Sequence, residues 1–272
     1  MVLRRENKFT SDLSKAQIDL LSGMAKSSLW FSLAWQDIKQ RYRRSVLGPF
    51  WITASTGVMV AGMGPLYGSL FGQDVAGYLQ HLAVSLFIWT FISSSLNEAG
   101  LVFIQSEGYI KQIRLPYTGY VFRALARNFL ILAHNALVVV VVLLFLPPTE
   151  WGNIWLVPIG VFLVFANLFW LSLLLSVISA RFRDVPQLVT NIVQVSFFLS
   201  PILWKAEMLD PKNRLIADLN PIYSLMEVIR APILGEPIQI INWIVTTGML
   251  VFGSLATFLF FARFRSRISY WL

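Results

Sequence analysis

The side chains that could do chemistry in this 272-residue chain are few: two histidines, 14 Asp and Glu, and no cysteine. His81 and His134 fall in separate apolar runs, so they suit hydrogen-bonded packing better than a shared metal. Neither H-E-x-x-H nor G-x-S-x-G occurs, which removes the common metalloprotease and serine-hydrolase arrangements. There is no G-x-x-x-x-G-K-[ST], so the chain does not by itself cradle ATP as a P-loop protein does. The absence of cysteine excludes disulfides and thiolate metal sites. Proton-driven carriers place carboxylates or histidines at mid-membrane depth. Here the polar residues inside apolar runs are the neutral Asn135, Asn167, Asn191 and Gln194, and Glu98 only closes its run. Such amides serve interhelical hydrogen bonding or line a channel. No cofactor is expected on this chain, and energy for transport has to come from a partner.

Arg41, Arg43 and Arg44 stand just ahead of Ser45, Leu47 and Gly48. Guanidinium groups hold phosphate through paired hydrogen bonds. The same arginines would also attract ordinary anionic phospholipid.

What must position these residues is a membrane bundle. The chain is 56% hydrophobic and only 13% charged, against roughly 25% charged in a soluble domain, and its mean hydropathy is +0.65. The 21 Phe, 10 Trp and 8 Tyr suit lipid interfaces. A crossing helix needs roughly 20 mostly apolar residues. Six candidate runs are predicted, at about 50–71, 78–97, 122–146, 155–180, 187–204 (short for a crossing) and 240–262. Residues 1–49 form a polar, basic arm, and residues 50–272 form the membrane domain. No cleavable signal peptide is expected, because the first apolar run lies too far in. The fold expected is an all-α integral membrane protein: six transmembrane helices, an N-terminal amphipathic interface helix, and short re-entrant outer helices before the last span.

The net charge is +8. In a membrane chain this reads as topology rather than nucleic-acid binding. With the six runs placed, all of the 22 Lys and Arg except Lys205, Lys212, Arg214 and Arg230 fall on one side. The arm, the second-to-third and fourth-to-fifth connections and the tail are therefore cytoplasmic, as are both termini.

Three segments outside the simple runs carry information. In the arm, Leu29, Trp30, Leu33, Ala34, Ile38 and Tyr42 recur at helical spacing, and Asp37 with Arg41 is expected to make an i,i+4 pair. This predicts a helix lying along the inner membrane surface, as an anchor or as an element where substrate enters. Residues 105–116 predict a short helix ended by Pro116, with Glu107 near its start and Lys111 and Arg114 near its end, as the helix dipole favours. It is either a plain connector or a docking element built on Tyr109, Ile110 and Ile113. Between Lys205 and Gln239, Asn220 is placed to cap a helix begun by Pro221. Leu219, Ile222, Tyr223, Met226, Ile229, Arg230 and Ile233 give its apolar face, and Gly235 and Pro237 end it. That helix reads as one dipping into the outer leaflet against protein, or as a lid. Gly64, Gly68 and Gly72 permit close helix approach, within one chain or between two.

Three of these stretches carry a resemblance. The run Trp35-Gln36-Asp37-Ile38-Lys39-Gln40-Arg41-Tyr42-Arg43-Arg44-Ser45-Val46-Leu47-Gly48-Pro49-Phe50-Trp51 is similar to the start of permeases in bacterial polysaccharide-exporting ABC transporters, although Gln36 replaces an expected basic residue. Arg181-Phe182-Arg183-Asp184-Val185-Pro186-Gln187 resembles their fourth-to-fifth loop. The stretch from Asn220 to Gly235, with Tyr223, Glu227 and Arg230, resembles their outer signature and leans towards the O-antigen (lipopolysaccharide) exporters. The resemblance implies a homodimeric channel in the bacterial inner membrane. It implies two copies of a cytoplasmic ATPase subunit holding ATP and Mg, and a polysaccharide on a polyprenyl diphosphate lipid as substrate. Arg41, Arg43, Arg44, Ser45, Leu47 and Gly48 would frame the place where substrate enters. Glu107, Tyr109, Ile110, Lys111, Arg114 and Pro116 would form the ATPase coupling segment. Alternatives are a capsule or teichoic-acid exporter, a drug or lipid efflux permease, or a membrane enzyme acting on lipid-linked sugars. The last would need a clustered acidic or histidine site at one membrane face.

Overall fold

The computed structural model describes residues 2–43, 45, 48, 50–148 and 150–272. Among these the regular structure is helical throughout. The helices in chain order are α1 (Val2–Ala25), α2 (Ser27–Arg41), α3 (Phe50–Leu70), α4 (Val75–Ala99), α5 (Val102–Gln105), α6 (Glu107–Gln112), α7 (Tyr117–Phe145), α8 (Val157–Arg181), α9 (Val185–Leu199), α10 (Pro211–Asp218), α11 (Pro221–Leu234), α12 (Ile240–Phe264) and α13 (Ile268–Trp271).

Among the described residues, four helical runs are long and apolar enough to cross a membrane: Val75–Ala99, Tyr117–Phe145, Ile154–Arg181 and Ile240–Trp271. Two of the six expected runs fall short of that measure. The sequence of α3 has 21 residues but is diluted by Gly, Ser, Thr and Pro65. The fifth run was expected to reach Trp204, but α9 stops at Leu199 after 15 residues. Pro201 lacks the N–H that would continue it, and residues 200–204 turn instead.

The arm departs most from expectation. The sequence predicted only the helix over Leu29 to Tyr42, which is α2, whereas a 24-residue helix, α1, precedes it. The face that α1 buries carries Ala16, Asp19 and Gly23. An acid and a glycine at core positions hide an amphipathic pattern from any count of apolar residues.

The centre of the bundle is α4. It packs against α3, α7, α8, α9 and α11, and every residue from His81 to Trp89 is buried. Its first turn is set by Asp74, whose carboxylate accepts from the Gly77 N–H at 2.9 Å, a standard N-cap. Gly64 and Gly68 of α3 lie against Leu79, Val75 and Tyr78 of α4, where a side chain at Gly64 would collide with Leu79. These two glycines therefore serve packing within the chain. The neutral amides divide. Asn135 and Asn167 are buried. Thr53 Oγ1 donates to the His134 carbonyl at 3.1 Å and approaches Asn135 Oδ1 at 3.5 Å, and Asn167 Nδ2 donates to the Thr246 carbonyl at 3.1 Å, so these join helices. Asn191 and Gln194 are exposed on α9.

Candidate functional site

Two clusters hold the residues singled out in the sequence, one at the α6 end of the bundle and one at the α11 end.

At the α6 end, α2 crosses α7. Trp30 stacks on Phe122, with ring centroids 5.5 Å apart, and Phe122 stacks on Phe169 of α8 at 4.3 Å. The polar side of the crossing is ionic. Asp37 does not pair with Arg41, as its spacing suggested. Its carboxylate accepts from Arg123 Nε at 2.9 Å and Nη2 at 2.5 Å, and from Arg127 Nη1 at 3.0 Å. Arg127 also donates to Glu98 at 2.7 Å, and Arg41 reaches the other Glu98 oxygen at 3.5 Å. The i,i+4 pair on α2 thus faces outward to two other helices, because α7 and the end of α4 offer better-placed opposite charges. Burial pushes the Asp37 carboxyl up, but hydrogen bonds and charge from Arg123 and then Arg127 outweigh it and hold the group below its ordinary value.

Beyond α2 the chain turns sharply. Ser45 Oγ accepts from the Gly48 N–H at 3.1 Å, and Gly48 sits at φ +57°, a conformation that disfavours any side chain. Arg43 and Ser45 are exposed. The expected Arg44 and Leu47 lie outside the described residues.

The segment expected to couple to an ATPase forms helix over Glu107–Gln112 only. Arg114, expected near its end, follows in a non-helical link that leads to Pro116 at the start of α7. Lys111 donates to Glu107 at 2.6 Å, and Arg183 approaches Glu107 at 3.9 Å. These bonds and charges lower the Glu107 carboxyl, its hydrogen bond from Lys111 first. No residue of α6 is buried. Tyr109 and Ile113 stand out to solvent, 58% and 49% exposed, whereas Ile110 packs on the chain's own core. Of the three apolar side chains expected to dock, Tyr109 and Ile113 are thus exposed and Ile110 is not. Behind Tyr109 lies a polar cavity of about 240 Å³ reached by Asp37, Glu98, Tyr120, Arg123 and Arg127.

At the α11 end, Asn220 caps as expected, its Oδ1 accepting from the Ile222 N–H at 2.9 Å. Pro221 opens the first turn, and Gly235 closes the helix at φ +69°. The single apolar face does not hold, because every residue from Tyr223 to Leu234 is buried while Leu219 is exposed. Full enclosure leaves Glu227 and Arg230 inside protein, where charges must be paired. Arg230 donates to Glu227 through Nε at 3.0 Å and Nη2 at 2.6 Å. Its Nη1 donates to Ser85 Oγ at 3.1 Å and to the Pro201 carbonyl at 2.6 Å, and its guanidinium carbon lies 5.7 Å from the Tyr223 ring. Asn220 Nδ2 donates to Ser200 Oγ at 2.9 Å, and Tyr78 Oη donates to the Leu203 carbonyl at 2.6 Å. Helix α4 and helix α11 with its cap thereby hold the turn that ends α9.

No local spacing marks Arg123, Arg127 and Ser85 as partners, since each lies far along the chain from the residue it serves. Among the described residues no group of three or more His, Cys, Asp or Glu is arranged for a metal ion. The geometry of both ends is that of a packed bundle with one small exposed helix, and among the described residues it brings together no catalytic constellation.

The chain is similar to O-antigen export system permease proteins. One from Klebsiella pneumoniae is 25% identical over 197 residues, 70% of this chain and 74% of the relative. One from Myxococcus xanthus is 25% identical over 206 residues, 73% of this chain and 77% of the relative. The profile of the ABC-2 type transporter family matches residues 28–234, which hold α2 through α11 with the central helix and both clusters, and the chain belongs to that family.

Proposed function

We propose that this chain is the membrane permease subunit of an ABC exporter that moves a lipid-linked, O-antigen-like polysaccharide across the bacterial inner membrane. The observation that carries this reading is the similarity, over about three quarters of both chains, to relatives named as O-antigen export permeases. With no P-loop of its own, the chain relies on a cytoplasmic ATPase subunit, which holds ATP and Mg.

In this reading α3 and α9 complete six crossings, and the basic side, with both termini, is cytoplasmic. The arm before α3 lies on the cytoplasmic side, with α2 along the inner membrane surface, and α11 is the outer re-entrant helix. Two copies, each with one ATPase below it, form the channel. In support, α9 exposes Leu188, Ile192, Val195 and Phe198 together with Asn191 and Gln194, and α3 exposes Val58, Leu66 and Leu70. Apolar surface with a few neutral hydrogen-bonding groups suits a wall along which a sugar chain slides. Arg41, Arg43, Ser45 and Gly48 would meet the anionic diphosphate as it enters. Tyr109 on α6 and Ile113 just after it are the anchors for the ATPase, with Glu107, Lys111 and Arg114 at the rim.

The test is reconstitution of the purified chain with its ATPase in liposomes. ATP-dependent transfer of polyprenyl-diphosphate-linked glycan supports the reading. Hydrolysis without glycan transfer, when the glycan is supplied in the donor leaflet, overturns it.

A further inference from the structure

Among the described side chains of α1, Asp19 is the buried acid on the face turned to the bundle, and its side chain is fully buried. Oδ1 accepts from the Thr118 N–H at 3.0 Å and from Thr118 Oγ1 at 3.0 Å. Oδ2 accepts from the Tyr117 N–H at 3.2 Å and from Arg265 Nε at 2.8 Å. Helix α7 starts behind Pro116, which supplies no capping side chain, so its first N–H groups have no local acceptor. A carboxylate from a different helix, roughly a hundred residues earlier in the chain, does the capping, where the helix dipole also favours negative charge.

The approach is built for this contact. One turn on, a side chain at Gly23 would collide with Thr118 Oγ1. Arg265 follows the last long helix directly and lies 5.4 Å from the Tyr117 ring. One carboxylate therefore joins α1, the first turn of α7 and the end of α12. Only residues 113–116 separate this junction from α6. A cavity of about 640 Å³ lies beside it, between Ile18 and Ser22 of α1, Ile110 to Arg114, and Arg265. The link from α6 to α7 is thus fixed at its far end and has open space at its side. Asp19 and Arg265 both lie outside the residues the family profile matches.

We propose that Asp19, with Arg265 as its counter-charge, is a positioning residue that anchors the root of α6, so that a load on α6 moves α7 and α12 together instead of bending the link into the neighbouring cavity. The inference rests on the reading that α6 receives the ATPase. Burial makes the junction close to all-or-none, because a buried carboxylate that loses its partner is not compensated by water.

The experiment uses the full permease with its ATPase in liposomes and reads glycan exported per ATP hydrolysed. Asp19→Asn keeps the shape and removes the charge. Arg265→Gln leaves the α7 cap in place and removes only the counter-charge. Both variants are expected to insert, to retain the ATPase and to hydrolyse ATP, with the export ratio reduced several-fold. Amide exchange at Thr118 should quicken in Asp19→Asn and stay slow in Arg265→Gln. An unchanged ratio in both variants overturns the proposal. So does a loss of assembled complex in which the remaining complexes keep the normal ratio, since that is a purely structural role. If Asp19→Asn does not accumulate, the Arg265→Gln ratio decides alone. A wild-type complex that exports nothing fails the permease reading itself, whatever the variants do.

Discussion

Asp37 and Arg123, 86 residues apart, meet through two parallel bonds, Nε to Oδ2 at 2.9 Å and Nη2 to Oδ1 at 2.5 Å. This fork-to-carboxylate geometry is the strongest polar tie between α2 and the bundle, and bidentate, charge-assisted pairs are the ones that hold an orientation. Replacing Asp37 with Ala removes it and leaves Arg123 and Arg127 facing each other. The expected loss is about 2 kcal/mol, the range for hydrogen bonds to charged groups. Protease cleavage within α2 should speed up while α4 and α7 stay protected. Equal protection of α2 in wild type and variant would count against the tie.

The pH response follows from the direction of the Asp37 shift. A carboxyl held below its ordinary value in the folded state adds stability above its unfolded pKa, and that stability is lost as pH falls through the lowered folded value. Asp37 is lowered from 3.8. The tie of α2 should therefore persist unchanged from pH 7 down to about 5 and loosen only in more acid solution. Protease accessibility of α2 across this range is the measurement, and release near pH 6 would contradict the assignment.

The exposed side chains of α6 and of Ile113 just beyond it separate docking from folding. Tyr109→Ala with Ile113→Ala removes two free apolar anchors and should reduce co-purification of the ATPase by tenfold or more, about 1.4 kcal/mol, with permease yield unchanged. Ile110→Ala instead removes a contact with the chain's own core and should lower thermal stability. Retention of the ATPase at the normal ratio by the double variant would show that α6 does not bind it.

Arg230 sits at 3% exposure beside Glu227 at 6%. Arg230→Ala leaves a buried carboxylate unpaired, a loss of about 3–5 kcal/mol. Adding Glu227→Gln removes that charge and should restore part of the stability. Fluorescence-detected melting in detergent is the readout, and a double variant no more stable than Arg230→Ala would contradict the pairing argument.

Orientation can be read with cysteines at exposed positions. One at Glu207 should label with an impermeant thiol reagent on intact spheroplasts, and those at Ser14 and Ser269 should label only after permeabilisation. Labelling of Ser14 and Ser269 from outside would invert the topology.

The legible parts of this molecule are those decided locally. Apolar length marks the runs that become α4, α7, α8 and α12. Asn220, Pro221 and Gly235 mark α11 to the residue, because capping chemistry acts within one turn. The short α6 shows in the spacing of Glu107 and Lys111. What stayed hidden depends on distant residues. Asp37 has an arginine four residues away and uses two others 86 and 90 residues away. Helix α11 looks one-sided until α4, α8 and α12 enclose it. Ile110 packs on the core and Ile113, one residue past the end of α6, stands out to solvent, a difference set by what lies behind each. Helix α1 is the clearest case, since its buried acid makes sense only once the bare start of α7 and Arg265 are both in view.

Asp19 leaves the ribosome 246 residues ahead of Arg265. Its bonds to Tyr117 and Thr118 can form midway through synthesis, but its counter-charge arrives only after the last long helix has been made. A nascent chain halted before Arg265 carries a buried carboxylate without its cation, and its α1 is held less firmly to the bundle. The junction therefore closes in two stages, its hydrogen bonds first and its ion pair last, and a single arginine beyond α12 completes it.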